Sequence, residues 1–520
     1  MPGQSGSEKK AGTVREKIPQ KWIYAAVAPL LAYTFVRSVV AAAGKPFWYD
    51  ELLTQVVAAQ GSWQRIVAAL MGPTDGQPPL FYAIEHFASG LCGNQQVALR
   101  LPAALGVVCT ILCIFIYARR MSGSVIALLC GGGLLATCVF QNYAQEARPY
   151  SMVMALIAFA MVCYQRAESA GWVALLGASL ALAESLHYLA VLAMVAFGAA
   201  ELFGTLVRGK VRWGVWAALA AGVVPLAIFW KLLQITKAYY GAHHYYAHFP
   251  ASAIPAMYTE FFGVNSLIGG AVGMAALAAI VVTAVKRSQE AGTDIRRWNG
   301  TGEAILLLAF AALPYFAFVF AKVTHSGMTP RYVLSTVLGI VLAFGYLAAR
   351  VSRQVVLVAG VFVLTAVGIS ELHFWRFQKA ERRTVAEKGA ATVKFFAGAG
   401  YQELPVLVPN GGTLLATVYY AFPSAPQKFV YLQRERSADD PDGSDTTDKG
   451  LQQVSRYVPI QVRPDKEFLV RNERFLVYTE GADVGRDWVT SRELTEGWTV
   501  RVVAYDGLRA LYLVSRGGGI

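Results

Sequence analysis

Along most of this chain the apolar residues come in long uninterrupted runs, without the stripes of a surface helix or the alternation of a strand. A polar stretch, residues 1–21, carries Lys9, Lys10, Arg15, Lys17 and Lys21, and a first apolar run follows at 22–43. Further runs cover 101–118, 123–141, 149–164, 172–186, 188–206, 213–234, 267–285, 303–322, 331–349 and 354–371. Each is near the ~20 residues a helix needs to cross ~30 Å of hydrocarbon, which predicts about eleven transmembrane helices. The first run ends in Val40-Ala41-Ala42-Ala43, a sequence somewhat like a signal-peptidase site. It is longer than the roughly 7–15 residues of a signal-peptide core, so it is read as a retained helix after a cytoplasmic tail.

Two regions break the pattern. Between 44 and 96, apolar residues recur at helical spacing: Leu52, Leu53, Val56 and Val57; then Trp63, Ile66, Val67, Leu70 and Met71; then Leu80, Ile84, Phe87, Ala88 and Leu91. This predicts short amphipathic helices lying in the membrane interface, the last opened by Pro78-Pro79. From about 385 onward the runs shorten to strand length: Pro405–Val408, Phe429–Leu432, Phe468–Val470, Phe475–Tyr478 and Thr499–Ala504. Asp439–Asp448 reads as an acidic loop, and Gly507, before Leu508–Val514, as the turn of a hairpin. Residues 385–520 are therefore expected to form a small α/β domain with a docking or structural role. The membrane part is expected to span 22–375, with 44–96 as its first outer loop.

Composition agrees: 55% of the 520 residues are hydrophobic and 15% charged, where a soluble chain carries about 25%. The net charge of +13 is no nucleic-acid footprint, because its distribution orients a membrane protein. Arg119-Arg120, Arg166, Arg208/Lys210/Arg212, Lys286-Arg287 with Arg296-Arg297, and Arg350/Arg353 fall on the side of the N-terminal tail, which is then cytoplasmic. With an odd number of spans the C-terminal domain lies outside. The six cysteines sit mostly within apolar runs without metal-ligand spacing and read as small buried side chains.

The unusual polar residues then sort to one face, the outer one. They are Asp50, Glu51, Asp75, Arg100, Gln145, Glu146, Arg148, His187, Tyr188, His243, His244, His248, Arg331 and Tyr332. A charge near membrane depth costs about 2.5–3.5 kcal/mol on insertion scales, so their convergence predicts a single polar cavity. Asp50 and Glu51 suit a helix N-terminus, where acids favour the macrodipole. Adjacent helical side chains point about 100° apart, so one acid can serve as a general base while the other orients a neighbour or a metal. Arg148 and Arg331 suit a phosphate. His244 and His248 stand at i, i+4, and they, Asp50 and Asp75 are weak metal candidates; the tyrosines around the histidines suit sugar stacking or the interface better. No cofactor is certain, and a divalent cation stays open.

Three motifs carry a resemblance: Trp48-x-Asp50-Glu51-x-x-Thr54, Gln77-Pro78-Pro79-Leu80-Phe81-Tyr82 and Ala98-Leu99-Arg100-Leu101-Pro102. They resemble the first outer loop of GT-C superfamily glycosyltransferases that use polyprenyl-phosphate sugars, in the protein O-mannosyltransferase and lipid A aminoarabinose transferase group. Tyr143-Ala144-Gln145-Glu146-Ala147-Arg148-Pro149-Tyr150-Ser151 is similar to their second outer loop, and Leu186-His187-Tyr188 and Pro330-Arg331-Tyr332 match later positions. The resemblance covers about 45–335. It implies a GT-C fold in a bacterial inner membrane and transfer of a sugar, with inversion, from a polyprenyl-phosphate donor to a lipid, glycan or protein acceptor at the extracytoplasmic face. It also implies Asp50 as the base, Glu51 and Glu146 as orienting acids, and Arg148 and Arg331 as phosphate ligands. Gln145, Tyr143, His187, Tyr188, Tyr332, Asp75 and Arg100 complete the expected substrate-binding set. Aminoarabinose transferases carry Glu-Lys before the paired prolines; this chain has Gly76-Gln77, which weakens the aminoarabinose and lipid A assignment and leaves a hexose or pentose transferase at least as well matched. A ligase moving a whole polyprenyl-linked glycan, and a transporter or flippase, are the competing readings. A transporter would show inverted repeats and polar groups near mid-membrane.

Overall fold

The computed structural model describes residues 19–241, 250–262, 299–324, 327–349, 353–380, 385–399, 403–434, 445–493 and 497–517. The expected span at 267–285, the acidic residues 439–444 and the histidines 243, 244 and 248 lie outside the described residues.

The first half of the chain is helical throughout. Helices α1 (Gln20–Gly44), α2 (Tyr49–Ala58), α3 (Trp63–Met71), α4 (Pro79–Ser89), α5 (Gln95–Ala98), α6 (Leu101–Ser122) and α7 (Ser124–Gly133) are followed by α8 (Cys138–Tyr143), α9 (Tyr150–Tyr164), α10 (Ala170–Leu186) and α11 (Val191–Arg208). Among the described residues, Lys21–Gly44, Gln95–Ser122, Tyr188–Arg208 and Val356–Lys379 are long and apolar enough to cross a membrane. Two of the expected spans are instead bent pairs: Trp213–Ile228 with Trp230–Tyr240, at 59°, and Gly302–Ala311 with Leu313–Thr324, at 56°. Pro314 opens the second half of the latter pair, where its missing N–H interrupts the helical ladder, while Pro225 lies inside Trp213–Ile228, ahead of the break in the former. Four more expected spans, Ser124–Ala136, Tyr150–Tyr164, Ala170–Leu186 and Thr336–Ala348, are apolar but shorter.

Small residues set the spacing of the bundle. A Cβ on Gly106 of α6 would lie 2.6 Å from the Ser151 main chain of α9, so only glycine lets these two helices approach as they do. Polar side chains pin other pairs. Arg37 of α1 meets Glu371 at 2.8 Å, lies 3.5 Å above the Phe374 ring, and shares that carboxylate with the Tyr33 hydroxyl at 2.6 Å. Neither Arg37 nor Glu371 stands out in the sequence, because each is a single polar residue in an apolar run.

The expected first outer loop holds α2, α3 and α4, as its apolar spacing predicts, and runs into α5. The C-terminal region holds a six-stranded sheet of order β3-β2-β1-β4-β6-β5: β1 Val406–Leu407, β2 Phe429–Gln433, β3 Gln461–Pro464, β4 Arg474–Glu480, β5 Trp498–Tyr505 and β6 Arg509–Arg516. β3, β2, β1 and β4 are parallel, while β6 pairs antiparallel with β4 and β5. Gly507, at φ +88°, turns the β5–β6 hairpin as expected. One expectation fails here, and one strand is unforeseen. Phe468–Val470 is helical, within Asp465–Arg471, and the polar edge strand β3 carries no apolar signature. Alternate residues divide the sheet into two faces. Leu407, Val430, Val477, Tyr512 and Val514 pack toward Phe468 and Trp498. Val406, Phe429, Tyr431, Leu476 and Leu511 share a core with Phe47, Leu52, Leu53, Val56 and Leu99 of the first loop. Helix Gly411–Tyr420 fills the space between this face and α2, with Leu414, Leu415 and Val418 in the shared core.

Candidate functional site

The site grows from the first turn of α2. Glu51 reaches back, so that its Oε2 accepts from the Trp48 main-chain N–H at 3.2 Å. It also receives Arg100 in fork geometry, Nε to Oε1 at 2.7 Å and Nη2 to Oε2 at 2.6 Å, and the Ala147 N–H at 2.7 Å. Arg100 directs its remaining donors to the carbonyls of Ala42, Lys45 and Pro46, at 2.9, 2.5 and 3.0 Å. Neither side chain has any exposed surface. Here the sequence expectation is corrected: with every Arg100 donor committed inside the protein, Arg100 has none for a substrate. The pair welds the end of α1, the start of α2 and the segment before α9 into one frame.

Asp50 points elsewhere, as the helical turn requires. Its Oδ2 accepts from Arg331 Nη1 at 2.9 Å, and each side chain keeps 17% of its surface exposed. Oδ1 makes no hydrogen bond within the protein among the described residues. Behind Asp50 stands Arg148, 4% exposed, whose Nη1 reaches Asp75 Oδ2 at 2.6 Å, Thr54 Oγ1 at 3.1 Å and the Asp50 carbonyl at 3.2 Å. Asp75 Oδ1 accepts from the Gly76 N–H at 2.7 Å. Arg148 therefore holds the α2 turn to Asp75, while Arg331 is the guanidinium that reaches the cavity.

Aromatic rings surround that cation. Arg331 lies 5.6 Å from the Trp48 ring centre, 5.9 Å from Tyr150 and 5.8 Å from Tyr332. His187 sits between Tyr150 and Tyr332, with ring centres at 5.5 and 5.3 Å, and Tyr143 meets Tyr150 edge-on at 5.4 Å. Tyr150, Met154, His187, Arg331, Tyr332 and Ser335 line a small cavity. His187 Nδ1 accepts from the Leu189 N–H at 3.1 Å, so the ring proton is on Nε2. That Nε2 is buried and has no partner among the described residues. Burial, then the Arg148 and Arg331 charges, hold the His187 pKa down to about 3, so the ring is a neutral donor. Tyr188 is buried in the next turn, outside this ring cluster.

Glu146 stands beside the cavity with Lys45 Nζ at 3.7 Å and a buried Oε2 that has no partner among the described residues. Burial pushes its pKa up to about 7 against the pull of Lys45. Gln145 donates to the Gln141 carbonyl at 2.5 Å and leaves its own carbonyl oxygen buried and without a partner among the described residues.

Four contributors escaped the sequence reading. Lys45 follows the first span at the end where the charge pattern leaves few basic residues, and that is a usable signal. Thr54 lies inside the α2 motif. Glu85 of α4 is fully buried with neither carboxylate oxygen partnered among the described residues; burial, then Glu51, raise its pKa well above the usual carboxylate range. The fourth is the C-terminal region. The Tyr420 hydroxyl accepts from the Phe47 N–H at 2.7 Å, and a Cβ on Gly450 would meet the Tyr49 hydroxyl at 2.6 Å. A divalent ion fits poorly: Asp50 and Asp75 are each matched to an arginine, and no cluster of three acids, histidines or cysteines forms among the described residues.

Comparison with known proteins gives two kinds of likeness. Residues 76–234 match the family described as dolichyl-phosphate-mannose-protein mannosyltransferase. The structure resembles ArnT from Cupriavidus metallidurans bound to undecaprenyl phosphate, with TM-score 0.56 and 15% identity over 95% of this chain and 98% of that one. Its apo form gives TM-score 0.56 and 16% identity over the same shares. The apo oligosaccharyltransferase of Archaeoglobus fulgidus is more distant, at TM-score 0.48 and 9% identity over 90% of this chain and 70% of that one. No curated protein matches the chain.

Proposed function

Because the chain has the GT-C fold it shares with ArnT and matches a mannosyltransferase family over 76–234, we propose that it is an integral membrane glycosyltransferase using a polyprenyl-phosphate sugar. The observation that carries this reading is the pairing of Asp50 with Arg331, whose guanidinium lines a small cavity together with Tyr150, His187 and Tyr332. One carboxylate oxygen is held by a guanidinium and the other is left for a proton.

In this reading the acceptor hydroxyl gives its proton to Asp50 Oδ1 as its oxygen attacks the anomeric carbon. The bond from that carbon to the phosphate oxygen breaks on the opposite face, so the configuration inverts. The electron pair leaves with the polyprenyl phosphate, whose growing charge falls to Arg331 and Lys45. Phosphate is already a good leaving group, so the main task is to align the reactants. Arg148 and Glu51 act through position: Arg148 anchors the Asp50 carbonyl and Glu51 anchors the loop. The neutral Nε2–H of His187, between two tyrosine rings, suits a sugar hydroxyl. The reading includes eleven crossings of a bacterial inner membrane, the N-terminus in the cytoplasm, and the site and residues 385–520 on the outer side. The donor sugar is a hexose or pentose, and the acceptor a lipid, glycan or protein.

The test is transfer itself. The purified protein is reconstituted with radiolabelled polyprenyl-phosphate hexoses and pentoses and a panel of lipid, glycan and peptide acceptors. Label is expected on one acceptor class, with inverted anomeric configuration. Labelled lipid that only changes leaflet, with no transfer to any acceptor, would overturn the assignment.

A further inference from the structure

At the opposite end of the bundle from Asp50 lies a second opening that the proposed reaction does not use. It is a groove of about 500 Å³ between α1 and α6, far beyond the ~30 Å³ share of one liquid water. Its walls are apolar, with Val27 from α1 and Ile116 from α6, and its rim carries Tyr24, Arg119, Arg120 and Arg166.

The three arginines come from two helix ends, and two of them are fixed by uncharged partners. Arg119 Nη1 donates to the Tyr24 hydroxyl at 3.1 Å and lies 5.5 Å over that ring. Arg166 Nη1 donates to the Val162 carbonyl at 3.0 Å and the guanidinium lies 5.2 Å over Trp172. Among the described residues no carboxylate pairs with any of the three. Elsewhere at this end the same chemistry is closed: Arg208 and Arg212 both pair with the buried Glu201. Three gathered guanidinium groups with no counter-charge among the described residues repel one another. An anion from outside would relieve that, and a phosphate accepts the forked N–H pairs of arginine. The groove continues from this rim along two helices whose apolar length suits the membrane, so a ligand here needs both an anionic head and a hydrocarbon chain.

We propose that this groove binds an anionic glycerophospholipid, its phosphate held by Arg119, Arg120 and Arg166 and one acyl chain lying between α1 and α6. The proposal rests on the chain spanning a membrane and is independent of which sugar or acceptor is used. A lipid seated there fixes the start of α1 against α6, the two helices that frame the first loop at their other ends.

The test is native mass spectrometry of the full chain in detergent micelles, titrated with dioleoyl phosphatidylglycerol or dioleoyl phosphatidylcholine. The wild type is expected to hold one phosphatidylglycerol at least tenfold more tightly than phosphatidylcholine. The triple variant Arg119→Gln/Arg120→Gln/Arg166→Gln should lose that preference. Ile116→Trp, which fills the groove and leaves the charges, should lose it too and serves if the triple variant does not fold. Asp50→Asn should keep it while losing transfer, which separates this proposal from the catalytic one. Equal affinity for the two lipids, or a preference that survives both groove variants, would overturn the site. Displacement by inorganic phosphate at equal concentration, or tighter binding of undecaprenyl phosphate than of phosphatidylglycerol, would overturn the lipid as its occupant.

Discussion

At Asp50 one carboxylate oxygen meets Arg331 at 2.9 Å and 17% of the side chain stays exposed, while at Glu51 four contacts close around a carboxylate with no exposure at all. That contrast makes a sharp prediction. Glu51→Gln leaves Arg100 charged and buried without its counter-ion, a change that costs about 3–5 kcal/mol. Its thermal unfolding in micelles should fall steeply, whereas Asp50→Asn should unfold near the wild-type temperature. Glu146 supplies a pH signature. Burial puts its folded pKa at about 7, above the ordinary value of 4.5. Below pH 4.5 both folded and unfolded chains hold the proton and nothing is lost; from 4.5 to 7 the unfolded chain releases it first, so stability falls as pH rises. The full loss, about 3 kcal/mol, is present above pH 7. Glu146→Gln should remove this slope, giving a variant more stable than wild type at pH 8 and equal to it at pH 4; a parallel pair of pH–stability curves would refute the burial argument.

Among the elements, α2, α6 and α9 fix the geometry. Gly106 lets α6 lie against the main chain of Ser151, three residues beyond Arg148. Gly106→Val should force the helices apart and cost about 1–3 kcal/mol. Because Arg148 moves with α9, turnover should fall more than the loss of stability alone explains, measured as kcat in the transfer assay against the unfolding temperature. Much at this scale was legible in the sequence. Long apolar runs gave the helices, apolar spacing gave α2–α4, and Pro79 marked the start of α4. Where the reading failed, the signal was local and short. Phe468-Leu469-Val470 is too brief a run to separate strand from helix, and Asp465 and Glu467 at its front favour a helix start. The bent pairs were read as straight spans because hydropathy does not register a break.

In the whole molecule, the C-terminal region covers the first loop. Its helix Gly411–Tyr420, packed on the sheet through Leu414, Leu415 and Val418, shares a core with Phe47, Leu52, Leu53, Val56 and Leu99, so the α2 turn bearing Asp50 is folded between the bundle and that helix. Deleting 385–520 should expose that apolar face and release the loop. Limited proteolysis is expected to cut within 44–96 in the truncated chain and to leave the full chain intact there. A docking or structural role is the expectation for this region, and the segment it packs against is not readable in the sequence, because Phe47 and Tyr420 are 373 positions apart. The same holds for the site. Motifs brought Asp50, Arg148, His187 and Arg331 to one face, since each closes a helix end. The roles within that set follow from contacts no spacing reveals: Arg100 saturated by Glu51 and three carbonyls, Arg148 held by Asp75, and Lys45 beside Glu146.

The central claim is that the Asp50 carboxylate accepts the acceptor's proton, and single-turnover transfer from a radiolabelled polyprenyl-phosphate sugar tests it most directly. At saturating donor, Asp50→Asn should lower the rate of the chemical step by about 10²–10⁴-fold, with donor affinity and unfolding temperature near wild type. Asp50→Asn turning over at the wild-type rate would contradict the account.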